Sequence, residues 1–423
     1  MAALRANDVF VPNRYPMHTY VERRDLDVER LLREGLETPG QIVSLSGPSK
    51  SGKTVLVERV VSRDKLTVVT GAQITTPESF WELVLNELGE PHSAQASDTT
   101  SHSGAATVGT KGRVGIPLIA DGEVSGSGTL TSGGQKATGI SVGRRGMTQV
   151  IELLADTDRA LLLDDFHYIP RDIQEKVAKQ LKEAVRQGVR IVTAAVTHRS
   201  DDIVRALPDL RGRVLAVDLP YWDKQSLLRI AEIGFGKLNC VLDAAFLDSI
   251  ATESVGSPQL MQANCLNVCF EVPIKEAHKK PTSIPTSQEL LHRILQRTAR
   301  TADYRTLVEL LESGPKARSG DRNLYKWKSG GAGDVYACLL RALALDPVVQ
   351  SFKYQELLAR LQHLCDGPPP PGSTVTTTCQ QLAKIAEDHR VESPVLEWDE
   401  EKSVLDIVDP YLLFFLRWAK QPS

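Results

Sequence analysis

The run "GPSKSGKT" at residues 47–54 constrains this chain more than any other stretch of it. Two glycines separated by four residues, Gly47 and Gly52, are followed at once by Lys53 and Thr54. This is the spacing of a loop that wraps phosphate oxygens in backbone N–H groups. The residues before it, "QIVSL", are typical of a buried strand, and those after it, "TVLVERVVSR", are typical of a helix. The run therefore predicts a phosphate site between a strand and a helix.

Each part of this loop has an expected role toward bound ATP and Mg²⁺. Glycines let backbone N–H groups turn inward, and the following helix adds its positive end. Lys53 is expected to reach the β- and γ-phosphates, and Thr54 to ligate Mg²⁺. At average composition a chance match to the spacing arises in roughly one or two per cent of chains of about 400 residues, so an ordinary Gly-Ser turn is disfavoured. The predicted nucleotide-binding residues here are Gly47, Pro48, Ser49, Lys50, Ser51, Gly52, Lys53, Thr54 and Val55.

A second chemical signature is the stretch "RALLLDDFHYI". Residues 160–163 predict a central buried strand that ends in two carboxylates, and such a strand does not end in paired acids for stability. Ligands of open α/β sheets bind at the carboxyl ends of strands. Asp164 is therefore assigned to Mg²⁺, and Asp165 is expected to orient or deprotonate the attacking water. His167 stays open between a packing residue and a role near the phosphates.

Two later segments supply further candidate catalytic residues. The stretch "VRIVTAAVTHRSDD" predicts another buried strand, at whose tip Thr197 is expected to bond the γ-phosphate or the water. The alternative is a strand that simply leaves into a loop. Arg211 and Arg213, together with Arg205, precede a fifth strand, "VLAVDL". These arginines either act on a neighbouring copy's nucleotide as a finger or are merely solvated.

Residues 91–146 interrupt this alternation of strands and helices. They contain 12 Gly and 15 Ser or Thr, which are turn and linker types. This composition favours disorder. The apolar stretch "VGIPLIA" at 114–120 leaves an alternative to disorder, which is a glycine-rich hairpin that becomes ordered on assembly.

Composition limits the classes of protein that remain. A chain of 423 residues is long enough for two or three domains. Its 50 basic and 53 acidic residues give no overall bias toward nucleic acid. The six cysteines form no CxxC pair, which favours reduced thiols in a cytoplasm. The first residues lack the apolar core of a signal peptide, and no apolar run approaches 18 residues, so we expect a soluble cytoplasmic protein without a membrane partner.

The order of these signals resembles the AAA+ and STAND ATPases, with the origin-recognition ATPases as close structural relatives. The resemblance implies an α/β fold with a P-loop, AAA+-like parallel sheet core, a helical lid and a C-terminal winged-helix domain. The segment "TYVERRDLDVERLLREGL" resembles the adenine-side entrance of that family, which implies that Tyr20, Val21 and Arg23 lie near the base. The segment "VGSPQLMQANCLNVC" resembles the Gly-x-Pro motif of the STAND lid, here Gly256 and Pro258.

The chain also departs from that family. Asp165 stands where AAA+ proteins most often carry Glu, and no clear sensor-2 arginine accompanies the lid. Both departures imply slow hydrolysis, as suits a switch. The expected domains are an ATPase core at 1–220 with the insertion 91–146, a lid and linker at 221–300, and a winged-helix-like domain at 301–423.

The C-terminal part carries the wrong charge for ordinary DNA binding. Between Glu387 and Asp409 there are nine acids against Arg390 and Lys402, whereas phosphate binding needs Lys and Arg. Gln380, Gln381 and Lys384 could still meet bases. We therefore favour a winged helix that contacts protein or is autoinhibitory over a DNA reader.

Two functions remain. The favoured one is an ATP-driven switch, in which ATP closes the core against the lid, arginines of a neighbouring copy complete the site, and an unknown protein partner receives the signal. It implies an ATP-dependent homo-oligomer, and the family resemblance suggests bacterial signalling or phage defence. The alternative is a DNA-bound ATPase of the origin-recognition or transposition-regulator type. Salt-dependent DNA binding would separate them. A metabolic kinase is disfavoured by the paired acids, the lid and the winged helix.

Overall fold

A computed structural model describes residues 3–90, 93–96, 140–143, 145–196, 202–315, 322–389 and 395–419. Five parallel strands form the central sheet in the order β2-β3-β4-β1-β5. They are β1 (Ile42–Ser46), β2 (Leu66–Thr70), β3 (Ala160–Asp164), β4 (Arg190–Ala195) and β5 (Val214–Asp218). The strand order places β4 between the strand that precedes the phosphate loop and the strand that ends in the paired acids.

Helices follow the strands along most of the chain. In chain order, the α-helices of the described residues are α1 (Ala6–Val9), α2 (Val28–Glu37), α3 (Lys53–Val61), α4 (Pro77–Glu87), α5 (Met147–Leu154), α6 (Arg171–Arg186), α7 (Asp202–Ala206), α8 (Lys224–Lys237), α9 (Ala244–Glu253), α10 (Pro258–Glu271), α11 (Gln288–Arg300), α12 (Arg305–Ser313), α13 (Val335–Leu343), α14 (Tyr354–Leu364), α15 (Gly372–His389) and α16 (Pro410–Trp418).

The sheet is covered on both faces, which makes the core a three-layer α/β structure. Alternate residues of β3 point to opposite faces, so Leu161 and Leu163 pack with α4, α5 and α6 while Leu162 packs with α2 and α3. Strand β1 is buried at all five positions. The inner strands β1, β3 and β4 are buried on both faces, which explains why they are rich in apolar residues, whereas the edge strands β2 and β5 are only partly buried.

The four helices α8 to α11, called the lid below, share one buried cluster, and the N-terminal helix packs with them. Val9 and Phe10 lie in the same buried cluster as Ile230, Met261 and Leu295. The lid helices begin at side chains that accept hydrogen bonds from backbone N–H groups in the first turn, as Ser257 does for α10. The start of the chain is thus packed into the lid cluster.

The C-terminal domain contains helices α12 to α16 and a three-stranded antiparallel sheet in the order β6-β8-β7. Its strands are β6 (Ser351–Lys353), β7 (Glu397–Asp399) and β8 (Val404–Asp406). Its last helix, α16, joins this domain to the lid. Phe414 is buried in the lid cluster, whereas Leu412 and Leu413 are buried in the cluster of the C-terminal domain. Lid and C-terminal domain are therefore packed together through one helix.

Short strand pairs lie outside these two sheets. Ser93–Ala96 pairs with Ile140–Gly143, at the two ends of the segment predicted to be linker or hairpin, and residues 97–139, including 114–120, lie outside the described residues. Within the part of the chain that the structure describes, no helix combines the length and apolar character needed to cross a membrane.

Candidate active site at the carboxyl end of the sheet

The phosphate loop leaves β1 at Ser46 and ends where α3 begins at Lys53. Gly52 has a φ of 93°, in the left-handed region that glycine adopts without a steric penalty. A Cβ at Gly47 would lie 2.8 Å from the backbone oxygen of Leu219, so that position also requires glycine. The two glycines of the sequence motif are thus required for different physical reasons. Gly52 makes a turn, and Gly47 permits close packing against the segment that follows β5.

Lys53 is buried inside the loop. It is 8% exposed, and its Nζ donates hydrogen bonds to the backbone oxygens of Gly47 and Pro48, both at 2.9 Å. Burial lowers the pKa of the Lys53 ammonium, while Asp164 and Asp165 act in the opposite direction. Phosphate oxygens bound by the loop would add the negative charge that stabilises this buried cation.

Thr54 at the start of α3 contacts Asp164, the last residue of β3, although β4 lies between β1 and β3 in the sheet. The Thr54 hydroxyl donates to Asp164 Oδ2 at 2.8 Å, and Asp164 Oδ1 accepts from the backbone N–H of Asp165 at 3.0 Å. A hydroxyl and a carboxylate in contact fit Mg²⁺, which takes one or two protein oxygens and completes its shell with water and phosphate oxygens. Among the described residues no group of three or more His, Cys, Asp or Glu is arranged to hold a metal, so an all-protein metal cage is not formed there.

Asp165 has an unusual backbone and an unusual acidity. Its φ of 54° is left-handed, which non-glycine residues adopt only at a cost. Burial, and then the neighbouring Asp164, raise its pKa to about 6 against the opposing effect of Lys53. The backbone carbonyl of Asp165 packs so closely on Gly71, just after β2, that a Cβ there would overlap it. A carboxyl group with a pKa close to the working pH is suited to exchange a proton with water.

A cavity of about 720 Å³ extends from this loop to the lid. Its volume is within the range of small-molecule sites. Its lining includes the predicted loop residues Ser49 to Val55, both aspartates, and the residues predicted beside the base and on the lid, which are Tyr20, Val21, Arg23 and Pro258. Gly47 and Pro48 are not in this lining and contribute through their carbonyl bonds to Lys53.

The residues on the base side are held by specific contacts. The Tyr20 hydroxyl donates to Glu29 Oε1 at 2.6 Å. Arg23 is 7% exposed, donates to the backbone oxygen of Pro220 at 3.0 Å and lies 5.2 Å from the ring centroid of Trp222. Arg23 therefore fixes the segment that joins the core to the lid.

Two residues of the cavity and one that packs against Asp165 had no clear signal in the sequence. The Trp222 indole donates to the backbone oxygen of Ser51 at 2.9 Å, which connects the start of the lid to the phosphate loop. Gln262 of α10 accepts from the backbone N–H of Val11 at 3.1 Å and donates to Thr19 at 2.6 Å, which fastens the N-terminal segment onto the lid. Gly71 is the third. Its position directly after the predicted strand "LTVVT" was the only sequence signal for Gly71.

Some predicted residues lie elsewhere. Arg211 and Arg213 are exposed and do not line the cavity. The backbone oxygen of Arg213 accepts from Ile42, the first residue of β1, so this segment lies at the amino edge of the sheet, opposite the phosphate loop. Thr197 lies outside the described residues. His167 packs against Tyr168, with ring centroids 4.0 Å apart, and does not line the cavity.

Comparisons with known proteins find similarity in solved structures only. No family model matches the chain, and no curated protein matches it. Among solved structures, the chain is similar to Cdc6p from Pyrobaculum aerophilum (14% identity, 98% of this chain and 99% of that one, TM-score 0.42). It is also similar to the ORC2 protein of Aeropyrum pernix, solved as ADPNP-ADP complexes (13%, 98% of each chain, 0.47). A third is a Walker-type ATPase of Pyrococcus abyssi (14%, 95% and 99%, 0.49).

The fold class follows from the chain's own architecture. The strand order β2-β3-β4-β1-β5, the glycine-rich loop after β1 and the paired acids at the end of β3 are those of an α/β P-loop fold with a parallel sheet. The predicted fold class is thereby confirmed for the core.

Proposed function

We propose that this chain binds ATP with Mg²⁺, hydrolyses it slowly, and uses the nucleotide to control how the core and the lid are held together. The observation that carries the proposal is the contact of Thr54 with Asp164, beside the buried Lys53 ammonium and the carboxyl group of Asp165. These four residues are the minimum set that a phosphate loop needs for binding, metal ligation and activation of water.

Each of these side chains has a separate task. Lys53 and the loop N–H groups would hold the β- and γ-phosphates. Thr54 and Asp164 would hold Mg²⁺, which supplies charge neutralisation on the phosphate oxygens when it is bound. Asp165 would orient the attacking water and accept its proton.

The cavity supports a switch because its walls belong to different parts of the molecule. The phosphate loop and the aspartates are in the core, whereas Trp222, Pro258 and Gln262 belong to the lid. A nucleotide that contacts both the core and the lid favours the arrangement in which core and lid are close. The size of this shift is set by the difference in nucleotide affinity between the close and the separated arrangement. Nucleotide state would thus be converted into the position of the lid.

Self-association is the finer part of the proposal. Arg211 and Arg213 are exposed and distant from their own cavity, so a role in catalysis requires a second copy of the chain. An arginine supplied from a neighbour stabilises the charge of the transferring phosphoryl group. We therefore propose an ATP-dependent homo-oligomer in which these arginines act on the neighbouring nucleotide.

The C-terminal domain is proposed to be a winged helix that passes the nucleotide state to a protein partner. The order α13, β6, α14, α15, β7, β8 supports that assignment. The DNA-reading alternative is not favoured, since Gln380 donates to Glu400 at 3.3 Å and Gln381 accepts from the Tyr336 hydroxyl. A role in bacterial signalling or defence, which the family resemblance of the sequence suggests, is part of this proposal.

Mass measurement by light scattering during ATP turnover tests the proposal. We expect a monomer with ADP and a larger species with ATP and Mg²⁺, and Asp165→Asn should keep the larger species while turnover stops. The double variant Arg211→Ala/Arg213→Ala should bind ATP with the affinity of the wild type. Even when it associates, it should hydrolyse ATP more slowly than the wild type does. Normal hydrolysis by Asp165→Asn, or a mass that does not respond to nucleotide, would contradict the proposal.

A further inference from the structure

Lys50, at the tip of the phosphate loop, is bonded to the C-terminal domain. Its Nζ donates to Asp409 Oδ2 at 2.6 Å, between residues 359 positions apart in the chain, and lies 4.3 Å from the ring centroid of Tyr411. Lys50 also lines the nucleotide cavity. One of the two lysines of the loop is therefore within the nucleotide site and, at the same time, held by a carboxylate of another domain.

Asp409 depends on this lysine for its counter-charge. Its side chain is 7% exposed, and Lys50 is its only cationic partner among the ion pairs of the described residues. Its remaining hydrogen bonds come from neutral donors, the Tyr304 hydroxyl and the backbone N–H of Tyr411, whose helix it caps. Breaking a buried pair by removing one partner is strongly unfavourable. Withdrawal of Lys50 would leave a buried carboxylate without a counter-charge, bonded only to these two neutral donors.

The C-terminal domain is attached to the lid far more firmly than to the core. Arg417 on α16 makes two hydrogen bonds with Glu253 on α9, at 2.9 and 2.7 Å, with both side chains largely buried. Phe414 is fully buried in the lid cluster. By contrast, the two buried clusters of the core contain only residues from Val28 to Leu219.

The boundary between the core and the C-terminal domain is also loosely packed. A cavity of about 240 Å³ lies there, lined by Pro48, Val196 and Tyr221 on one side and by residues of β6, β7 and β8 or next to them on the other, namely Ser351, Glu397, Asp406 and Val408. This cavity is partly open to solvent, and neither buried cluster of the core contains a residue of the C-terminal domain. This boundary is therefore where the structure can separate.

We propose that Lys50 and Asp409 form a latch whose closure competes with nucleotide binding. Lys50 can neutralise either the carboxylate of Asp409 or the phosphate oxygens of a nucleoside triphosphate. When the triphosphate takes Lys50, Asp409 must reach water. The C-terminal domain and lid then turn as one body, so that Asp409 leaves the tip of the loop while Pro258 and Gln262 of the lid stay against the nucleotide. The pivot is the segment 219–222, where Trp222 remains bonded to the loop through Ser51. This inference rests on the proposed function, since it concerns the regulation of the same site.

Because the competition is reciprocal, opening the latch must strengthen nucleotide binding. The variant Asp409→Asn removes the charge but keeps an acceptor for the cap of α16. We expect it to bind a fluorescent, non-hydrolysable ATP analogue about tenfold more tightly than the wild type. Asp334→Asn is the matched control, because Asp334 also caps a helix of this domain and pairs with an arginine, Arg322, at 2.7 Å without touching the loop.

A distance measurement tests the movement itself. All six cysteines are buried, so spin labels can be placed at Lys179→Cys on α6 and Lys402→Cys beyond β7, both exposed. We expect the distance between the labels to lengthen with the ATP analogue, and to be long in Asp409→Asn without any nucleotide. An Asp409→Asn variant with the affinity and the label distance of the wild type overturns the latch.

Two further outcomes keep the test decisive. If Asp409→Asn does not fold, Lys50→Met breaks the latch from the other side, and a wild-type label distance in that variant overturns the proposal. If the wild type binds no nucleotide at all, the proposed function fails. The latch is then judged alone, by whether Asp409→Asn lengthens the distance without nucleotide.

Discussion

The ionised carboxyl group of Asp165 should make the nucleotide-free wild type less stable than a variant with the neutral isostere asparagine at this position. Its pKa is raised from 3.8 to about 6 in the folded chain. Between these two values the native state holds a proton that the unfolded chain has lost, so the free energy of unfolding falls as the pH rises through that window. A difference of about 2 pKa units corresponds to about 3 kcal/mol at neutral pH, and screening of this partly exposed group lowers the expected effect to about 1–2 kcal/mol.

Asp165→Asn removes the charge that causes this cost. We expect the variant to be more stable than the wild type by about 1–2 kcal/mol at pH 7.5, measured by urea unfolding in EDTA without nucleotide. The difference should shrink as the pH falls through 6 and nearly vanish near pH 4, where Asp165 is protonated in the folded wild type.

The control is Glu309→Gln on the exposed surface of α12, which should change stability by no more than about 0.5 kcal/mol at either pH. If Asp165→Asn is as stable as the wild type at pH 7.5, the carboxyl group is not desolvated as the structure indicates. Its assignment as the group that accepts a proton from water would then lose its electrostatic basis.

The remaining predictions concern the loop, the metal and the insertion. Lys53→Ala should lose tight ATP binding with an unchanged circular dichroism spectrum, because the loop loses its cation for the β- and γ-phosphates; equal affinity in a titration would refute the phosphate site. Asp164→Asn should bind ATP with a weakened dependence on Mg²⁺ in the same titration. Replacement of residues 97–142 by a short Gly-Ser linker should preserve ATP binding but reduce ATP-dependent association on size exclusion. Unchanged oligomers would make the segment a plain entropic loop.

The sequence revealed those parts of the site whose chemistry is contiguous. The glycine-rich loop and the two aspartates each occupy a few consecutive residues, and periodicity identifies the strands that hold them. The rule that ligands bind at the carboxyl ends of parallel strands then brought Asp164 to Thr54, which the structure places at 2.8 Å. Local signals were enough for these features because each of them is formed by a few consecutive residues.

Other features depend on packing between distant residues and left no local pattern. The bond from Trp222 to Ser51 depends on how the lid sits, and the bond from Lys50 to Asp409 depends on two domains meeting. The raised pKa of Asp165 is likewise a property of burial and not of residue type.

The sharing of α16 between two clusters has a consequence for how this molecule loses its structure. A helix that contributes Phe414 to one cluster and Leu412 and Leu413 to another cannot unfold without exposing apolar surface in both. Cooperative units of unfolding follow such shared burial and need not follow boundaries drawn along the chain. Calorimetry should therefore find the lid and the C-terminal domain melting in a single transition, and a chain cut short before residue 410 should lose the heat signature of both.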